Sequence, residues 1–224
     1  MNDTKFFPTK IALVTVIAAS VVVIISLGIR QTFGMFYFDF ATDLDITITQ
    51  FGFTMGLQLL LWGVFSPMFG IITDKYGGNI AIFIGFVFYL VAVLLFYSGF
   101  NTGYYFTITI GILIGVGLGS TAISIPVSVV AKHFPVSSRT IATGIVTSAG
   151  SFGYFISPLI TRYSLVEHGW ENTMLFFCFF LGLGLIVALF VSTPKIPVGT
   201  NQNNNQTARE ALKEAFSNKS YIYL

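Results

Sequence analysis

Charged side chains are scarce in this sequence of 224 residues: Asp, Glu, Lys and Arg together make up 9% of it, whereas 54% of the residues are hydrophobic. A soluble domain carries about 25% charged residues, so this composition, with a mean hydropathy of +0.82, excludes a water-soluble globular protein. The alternating pattern of a transmembrane barrel is also missing. We therefore expect an all-α integral membrane protein in contact with lipid, because helices satisfy their own backbone hydrogen bonds.

Cysteine and histidine are almost absent as well. The single cysteine, Cys178, excludes a disulfide within the chain and is expected to fill apolar space. The two histidines, His133 and His168, are predicted to lie in loops on opposite sides of the membrane, so they cannot share a site. No nucleophile pairs with a histidine within a helix, and no metal-ligand cluster or phosphate loop occurs. We expect no catalytic site, no metal, no cofactor and no nucleic-acid partner.

Six apolar runs account for most of the chain. Each provides the ~20 residues with which a helix crosses about 30 Å of hydrocarbon, and they cover residues 11–38, 51–72, 80–100, 104–131, 141–160 and 173–191. The first run is too long for a signal peptide and lacks a cleavage site, so we treat it as mature structure. The pattern predicts a bundle of six transmembrane helices over residues 1–193.

The composition changes after this bundle. Residues 201–206 form a polar tract, and residues 209–216 combine acidic and basic side chains in a pattern that suits a short helix on the membrane surface. We expect a central loop over residues 194–216. Residues 217–224 are expected to begin a seventh helix that is truncated.

Basic residues are distributed unequally between the loops. If the helices alternate in direction, Arg162 lies on one side and Arg30 lies within a helix. The other nine of the 11 Lys and Arg lie on the opposite side: Lys5, Lys10, Lys75, Lys132, Arg139, Lys195, Arg209, Lys213 and Lys219. The positive-inside rule assigns that side to the cytoplasm. We therefore predict a multi-pass protein of the plasma (inner) membrane whose N-terminus and central loop are cytoplasmic.

A charged turn joins the second and third helices, where residues 70–77 read GIITDKYG. The order of a glycine (Gly70), three residues, an aspartate (Asp74), a basic residue (Lys75), one residue and a glycine (Gly77) resembles the signature loop of the major facilitator superfamily. That resemblance implies the N-terminal half of a twelve-helix secondary transporter. A second six-helix half is then the implied partner of this chain.

The resemblance also implies a role for the turn itself. Gly70, Asp74, Lys75 and Gly77 would form a conformational latch on the cytoplasmic side, in which Asp74 pairs with a group of the second half in one conformation. Lys75 has a simpler interpretation as a positive-inside anchor. The basic residues that usually end the signature are replaced here by asparagine and isoleucine.

An internal repeat indicates that the six helices are two units of three. Three sets of residues are each separated by 91 positions: Gly28 and Gly119, Ser66-Pro67 and Ser157-Pro158, and Gly78 and Gly169. Three-helix units repeated in this way must be inverted in the membrane, which is the architecture that the superfamily resemblance implies, with substrate bound near the midplane. The fold class we predict is therefore two inverted three-helix repeats.

Small residues recur at helical spacing in two of the predicted helices. Gly111, Gly115 and Gly119 share one face of the fourth helix, and Gly150 precedes Pro158 in the fifth. Such stripes let neighbouring backbones approach closely, and we expect these residues to mediate helix packing. Two interpretations are open: ordinary packing, or smooth surfaces that allow one half to rock against the other.

Arg30 is the one basic residue within an apolar run. It follows Lys10 by about 20 residues, or about 30 Å of helix, so it either snorkels to the membrane surface or faces a cavity. The apolar run continues beyond it to residue 38, which favours the second interpretation. A guanidinium in a cavity offers paired donors to a planar anion such as a carboxylate.

A narrower resemblance supports a carboxylate as the substrate. Residues 28–36 (GIRQTFGMF), residues 58–63 (QLLLWG) and residues 139–144 (RTIATG) resemble the monocarboxylate and oxalate-formate branch of the superfamily. The resemblance implies transport of a small organic anion by proton symport or by exchange with a counter-anion. The implied binding residues are Arg30, Gln31, Gln58 and Trp62. Gln58 has an alternative role as a hydrogen bond between helices.

Two alternatives remain open. The substrate is neutral or unrelated if Arg30 only snorkels. The six helices function as an oligomer if no second half follows.

The sequence offers few sites for a coupling proton. No Asp or Glu lies deep in a helix, so a coupling proton would need Asp39, at the mouth, or a residue of the second half.

Overall fold

The computed structural model describes residues 7–99 and 103–194, and these residues are helical without β-strands. The helices are α1 (Lys10–Thr32), α2 (Tyr37–Asp43), α3 (Ile48–Tyr76), α4 (Gly78–Tyr97), α5 (Gly103–Phe106), α6 (Ile114–Thr121), α7 (Ser124–Ala131) and α8 (Val136–Ala188). A 3₁₀ turn, Phe33–Phe36, joins α1 to α2, and a π-helical segment, Thr107–Leu113, joins α5 to α6. The proposed central loop after Pro194 and the start of a seventh helix lie outside the described residues.

Five helical segments of the described chain are long and apolar enough to cross a membrane. They are Lys10–Asp43, Ile48–Tyr76, Gly78–Tyr97, Gly103–Ala131 and Val136–Ala188. Two of them begin at a threonine cap: Thr9 Oγ1 accepts from the Ala12 amide at 3.0 Å, and Thr47 Oγ1 accepts from the Gln50 amide at 3.2 Å. These caps satisfy amides that have no partner within the helix.

The last two predicted apolar runs fall in α8, which consists of two helical stretches joined at Gly169. A straight helix of 53 residues would extend about 80 Å, far more than a bilayer. Gly169 breaks it, with φ 76° and ψ 172°, a conformation that is essentially restricted to glycine. The hydroxyls of Ser164 and Thr173 lie only 2.9 Å apart, whereas nine helical residues would separate them by about 13 Å. The chain therefore reverses direction at Gly169.

The fourth membrane-crossing segment is irregular at two places. In the π-helical segment the Ile114 amide donates to Thr109 and Gly111 instead of the usual Ile110 carbonyl. The helix then breaks at Ala122, four residues before Pro126. A proline has no amide hydrogen for the carbonyl four residues earlier and clashes with it, which explains that second break.

Glycines permit two close helix contacts that are related by the sequence repeat. Gly28 of α1 packs against Gly153 and Ser157 of α8. Its repeat counterpart, Gly119 of α6, packs against α3, where an added β-carbon would lie 2.9 Å from Phe65 Cβ. Phe65 is the neighbour of Ser66, the repeat counterpart of Ser157.

The repeat is also visible in the backbone, with a shift of one residue. Gly77, with φ 102° and ψ 155°, separates α3 from α4 in nearly the same conformation that Gly169 has within α8. In the sequence repeat Gly169 corresponds to Gly78. In the structure the residue with a backbone conformation similar to that of Gly169 is Gly77. An insertion of one residue between Pro158 and Gly169 explains the shift.

Aromatic rings close one end of the bundle. The ring of Phe40 lies 5.1 Å from that of Phe96, 5.7 Å from that of Phe106 and 5.5 Å from that of Trp170. The Trp170 indole also donates to Asp43 Oδ2 at 2.8 Å. These contacts connect α2, α4, α5 and α8, so this end is a densely packed part of the core.

Candidate functional site

Arg30 lies in the last turn of α1, and its side chain extends across to α3. Its guanidinium carbon lies 5.5 Å from the centre of the Trp62 ring, within the range of a cation–π interaction. Trp62 is equidistant from the two ends of α3, Ile48 and Tyr76. The positive charge is therefore held at the middle of a membrane-crossing helix and does not reach toward an end.

The environment of Arg30 leaves part of its hydrogen-bonding capacity unused. The residue is half-buried, and its Nε is buried without a hydrogen-bond acceptor among the described residues. Within residues 7–99 and 103–194 no carboxylate forms an ion pair with it, since the pair found there joins Lys132 to Asp74. Gln31, the next predicted binding residue, is exposed.

Gln58 points into the helix bundle instead of joining Arg30. It is fully buried, and its Nε2 donates to the Ile110 carbonyl at 2.8 Å. That carbonyl belongs to the π-helical segment, where the Ile114 amide no longer reaches it. Gln58 Oε1 is buried without a donor, and an acceptor cannot bind another acceptor such as a carboxylate. The arrangement matches the alternative role of a hydrogen bond between helices.

One tyrosine absent from the predicted site lies against α1, near Arg30. Tyr89 of α4 is fully buried and donates to the Ser26 carbonyl at 3.4 Å. The Ser26 hydroxyl in turn lies 2.7 Å from that of Thr121. The sequence signal that could have identified Tyr89 is its position inside a helix, away from the membrane surface where tyrosines usually collect.

The predicted packing glycines lie where α6 and the π-helical segment meet α3. A β-carbon on Gly115 would lie 2.9 Å from the Gln58 backbone oxygen, and one on Gly111 would lie 3.2 Å from Thr54 Cγ2. Gly150 of α8 similarly faces Val23 of α1 at 2.9 Å. Pro158 lies inside α8 and is half-buried.

The turn between α3 and α4 contacts two other parts of the same bundle. Lys132 Nζ donates to Asp74 Oδ1 at 2.7 Å, although 73% of the Asp74 side chain stays exposed. The Gly78 amide donates to Thr193 Oγ1 at 2.7 Å, beyond the end of α8. The family resemblance implied a partner for Asp74 in a second half, whereas Lys132 belongs to the same bundle.

The other members of the predicted latch form fewer contacts. Lys75 lies over the ring of Tyr76 at 5.1 Å, and Gly77 provides the positive φ of the turn. Gly70 is half-buried, and a β-carbon there would meet no described atom within 4 Å. The surface of α3 at Gly70 is therefore open in the described chain, although its neighbours Phe69 and Thr73 are buried.

A separate cavity of about 250 Å³ lies between α1 and both parts of α8. Its walls are apolar apart from the hydroxyls of Ser157 and Thr161. It has no charged group with which to bind an anion. Among the described residues, no three His, Cys, Asp or Glu side chains come together as metal ligands.

Comparison with known proteins gives consistent matches to transporters. The chain is 30% identical over 138 residues to monocarboxylate transporter 14 of Homo sapiens, a match that covers 61% of this chain and 26% of that protein. It is 24% identical over 155 residues to the probable nitrate transporter NarT of Staphylococcus carnosus, covering 69% and 39%. It is 27% identical over 150 residues to the hexuronate transporter of Bacillus subtilis, covering 66% and 33%.

These matches cover only part of the relatives, between about a quarter and two-fifths of their lengths. The family model of the Major Facilitator Superfamily matches residues 18–224, which is nearly the whole chain. The match agrees with the helical fold, the membrane-crossing segments and the signature turn, and it indicates a transporter rather than an enzyme. The chain is a multi-pass integral membrane protein and belongs to the Major Facilitator Superfamily.

Proposed function

We propose that this chain is the N-terminal half of a secondary transporter that moves a small organic anion across the membrane by alternating access. Arg30 binds the anion, with Gln31 and Trp62 beside it. Gln58 supports the site by joining α3 to the π-helical segment. The transporter works by symport or by exchange, and the second half completes the cavity.

The position of Arg30 is the observation that carries this proposal. A charged side chain in the middle of the membrane is costly, so it normally faces a cavity or a partner. The guanidinium is held beside the central residue of α3 and has no carboxylate partner among the described residues. A planar anion of the substrate supplies the missing charge, because a guanidinium binds carboxylates through paired hydrogen bonds.

The names of these three relatives support an anionic substrate. Monocarboxylates and hexuronates carry a carboxylate, and nitrate is a planar oxyanion of the same charge. One arginine can bind all three kinds of anion, because each presents coplanar oxygen atoms to the guanidinium group. Nitrate therefore belongs among the candidate substrates beside the carboxylates.

We also propose six membrane spans arranged as two inverted units of three. The reversal of α8 at Gly169 supports six, since each side of that glycine is long enough to cross the membrane. The equivalent contacts of Gly28 with α8 and of Gly119 with α3 support the inverted repeat. The excess of basic residues supports a cytoplasmic N-terminus in the plasma membrane.

For the turn at Asp74 we propose a latch that involves both halves. Lys132 holds one oxygen of Asp74, and the large exposed fraction of the carboxylate leaves room for a partner from the second half. The contact would form when the cytoplasmic side is closed and break when it opens. A coupling proton, if one is used, binds Asp39 or a carboxylate of the second half.

Uptake by the complete transporter in liposomes tests the role of Arg30. We expect wild-type protein to take up at least one labelled carboxylate from a panel of acetate, lactate and glucuronate, and nitrate is tested beside them. Arg30→Gln should lower kcat/KM by about 10- to 150-fold, because hydrogen bonds to a charged group contribute about 1.5–3 kcal/mol. Arg162→Gln is the matched control, since Arg162 is exposed, and it should stay within about twofold of wild type.

Two results would contradict the proposal. Wild-type protein that transports none of acetate, lactate and glucuronate would contradict the proposed organic-anion transporter. Arg30→Gln protein with wild-type uptake would show that the guanidinium does not bind the substrate.

A further inference from the structure

The contact between Arg30 and Trp62 suggests that the two residues have different roles in the proposed site. The ring centre lies 5.5 Å from the guanidinium carbon, and Trp62 is itself half-buried by its neighbours. A cation over an aromatic face is stabilised most when it is partly desolvated. The buried Nε of Arg30 shows that water is excluded from part of this side chain.

Two polar side chains of the bundle are engaged with backbone carbonyls. The Gln58 amide donates to Ile110, and the Tyr89 hydroxyl donates to Ser26. The described residues offer no carboxylate to the guanidinium. The Trp62 ring is therefore the identified contact that fixes the charge at the middle of α3.

We infer that Trp62 is a positioning residue for Arg30 and acts on the substrate only through it. The ring holds the guanidinium in one orientation before an anion arrives, so less conformational entropy is lost on binding. This inference rests on the proposed function. It differs from direct substrate contact, in which Trp62 would pack against the apolar part of the anion.

The two roles predict different patterns of specificity. If Trp62 positions Arg30, removal of the ring weakens the binding of every anion by the same factor, because all of them share the guanidinium contact. If Trp62 touches the substrate, removal of the ring weakens the binding of a large apolar anion more than that of a small one. Comparison of acetate, benzoate and nitrate separates these cases, since they share a planar anionic group and differ in apolar size.

The experiment measures KM and maximal uptake rate for these three anions with the complete transporter in liposomes. The variants are Trp62→Leu, which removes the ring, and Trp62→Phe, which keeps an aromatic face. Phe53→Leu is the matched control, an aromatic residue of the same helix that is 63% exposed and away from Arg30. Each variant is repeated with Arg30→Lys, which keeps the charge and removes the planar guanidinium.

We expect Trp62→Leu to raise KM by about 5- to 30-fold for all three anions, the factor that a partly desolvated cation–π contact provides. The maximal rate should stay within about twofold of wild type. Trp62→Phe should recover most of the affinity. With Arg30→Lys in place, Trp62→Leu should have a smaller further effect, because the two residues act through one contact.

Three results decide against the inference. A change in the ratio of KM between benzoate and acetate would show direct contact with substrate. Unchanged KM in Trp62→Leu would show that the ring does not hold Arg30, even if Arg30→Gln abolishes uptake. Wild-type protein that takes up none of acetate, lactate, glucuronate and benzoate would instead overturn the proposed function on which the inference depends. If Trp62→Leu does not fold, the ratio measured with Trp62→Phe decides.

Discussion

At the scale of single residues, the sequence leaves the location of the Arg30 side chain open, and a tertiary contact provides the missing information. About 20 residues separate it from Lys10, which allows either snorkelling or a place in a cavity. The contact with Trp62, a residue at the middle of another helix, favours the cavity. No pattern within α1 contains that information, because the contact depends on how α1 and α3 are packed.

Gln58 had two predicted roles, substrate binding and a hydrogen bond between helices. A buried amide in a membrane helix needs partners. Its Nε2 donates to the Ile110 carbonyl, which is available because the fourth segment is π-helical there. That bond favours the second role, and no sequence pattern signals the helical irregularity on which it depends.

We predict that Gln58→Leu lowers the free energy of unfolding without affecting substrate affinity. Loss of one hydrogen bond between membrane helices should cost about 0.6–1.7 kcal/mol. Thermal unfolding in detergent and KM in liposomes measure the two effects. Gln50→Leu, near the end of the same helix and half-buried, is the control. A tenfold increase in KM with unchanged thermal stability would instead show that Gln58 binds the anion.

At the scale of helices, hydropathy identified the apolar runs, but it placed a turn over residues 70–77. In the structure α3 continues to Tyr76, and Gly77 alone separates it from α4. It also separated the last two runs, and α8 does consist of two helical stretches there, one on each side of Gly169. Interior irregularities were not predicted: the π-helical segment and the break before Pro126 both lie inside one apolar run. Hydropathy averages over such a run and carries no information about local hydrogen bonding.

The contact between the α3–α4 turn and the end of α7 gives a prediction about the latch. Asp74→Asn should lower the maximal uptake rate by about fivefold or more, the lower end of the range for conformational coupling, while the protein still accumulates in the membrane. Lys132→Gln should have a smaller effect if Asp74 also pairs with the second half. Exposed ion pairs contribute little to stability, so the melting temperature should change little.

Lys10→Gln controls for the loss of one basic charge at the start of α1. Uptake that is unchanged in Asp74→Asn would exclude the latch. Equal decreases in the maximal uptake rate of Asp74→Asn and Lys132→Gln would show that Asp74 acts only through its ion pair with Lys132 within this half.

At the scale of the whole molecule, the chain spans between about a quarter and two-fifths of the relatives it matches. Arg30 carries a charge that the described residues leave without a counter-charge, and Gly70 of α3 lies next to open space. Both features fit a unit whose central surface is completed by a second half. Substrate size and stereochemistry then depend on side chains from both halves.

The most direct test of the central claim is whether an anion protects the region around Arg30 from a water-soluble thiol reagent. The protein is Gln31→Cys in a background free of other cysteines, and Gln31 is suitable because it is exposed beside Arg30. The measured quantity is the rate of modification with and without a transported anion, in this protein and in the matched Arg30→Gln variant.

We predict that the thiol introduced by Gln31→Cys reacts, and that an anion at ten times its Kd slows the reaction by about tenfold, because about one site in eleven then remains free. The same anion should give no protection when Arg30 is replaced by glutamine. An introduced thiol that does not react, or one that reacts at the same rate with and without the anion, would contradict a substrate cavity at Arg30.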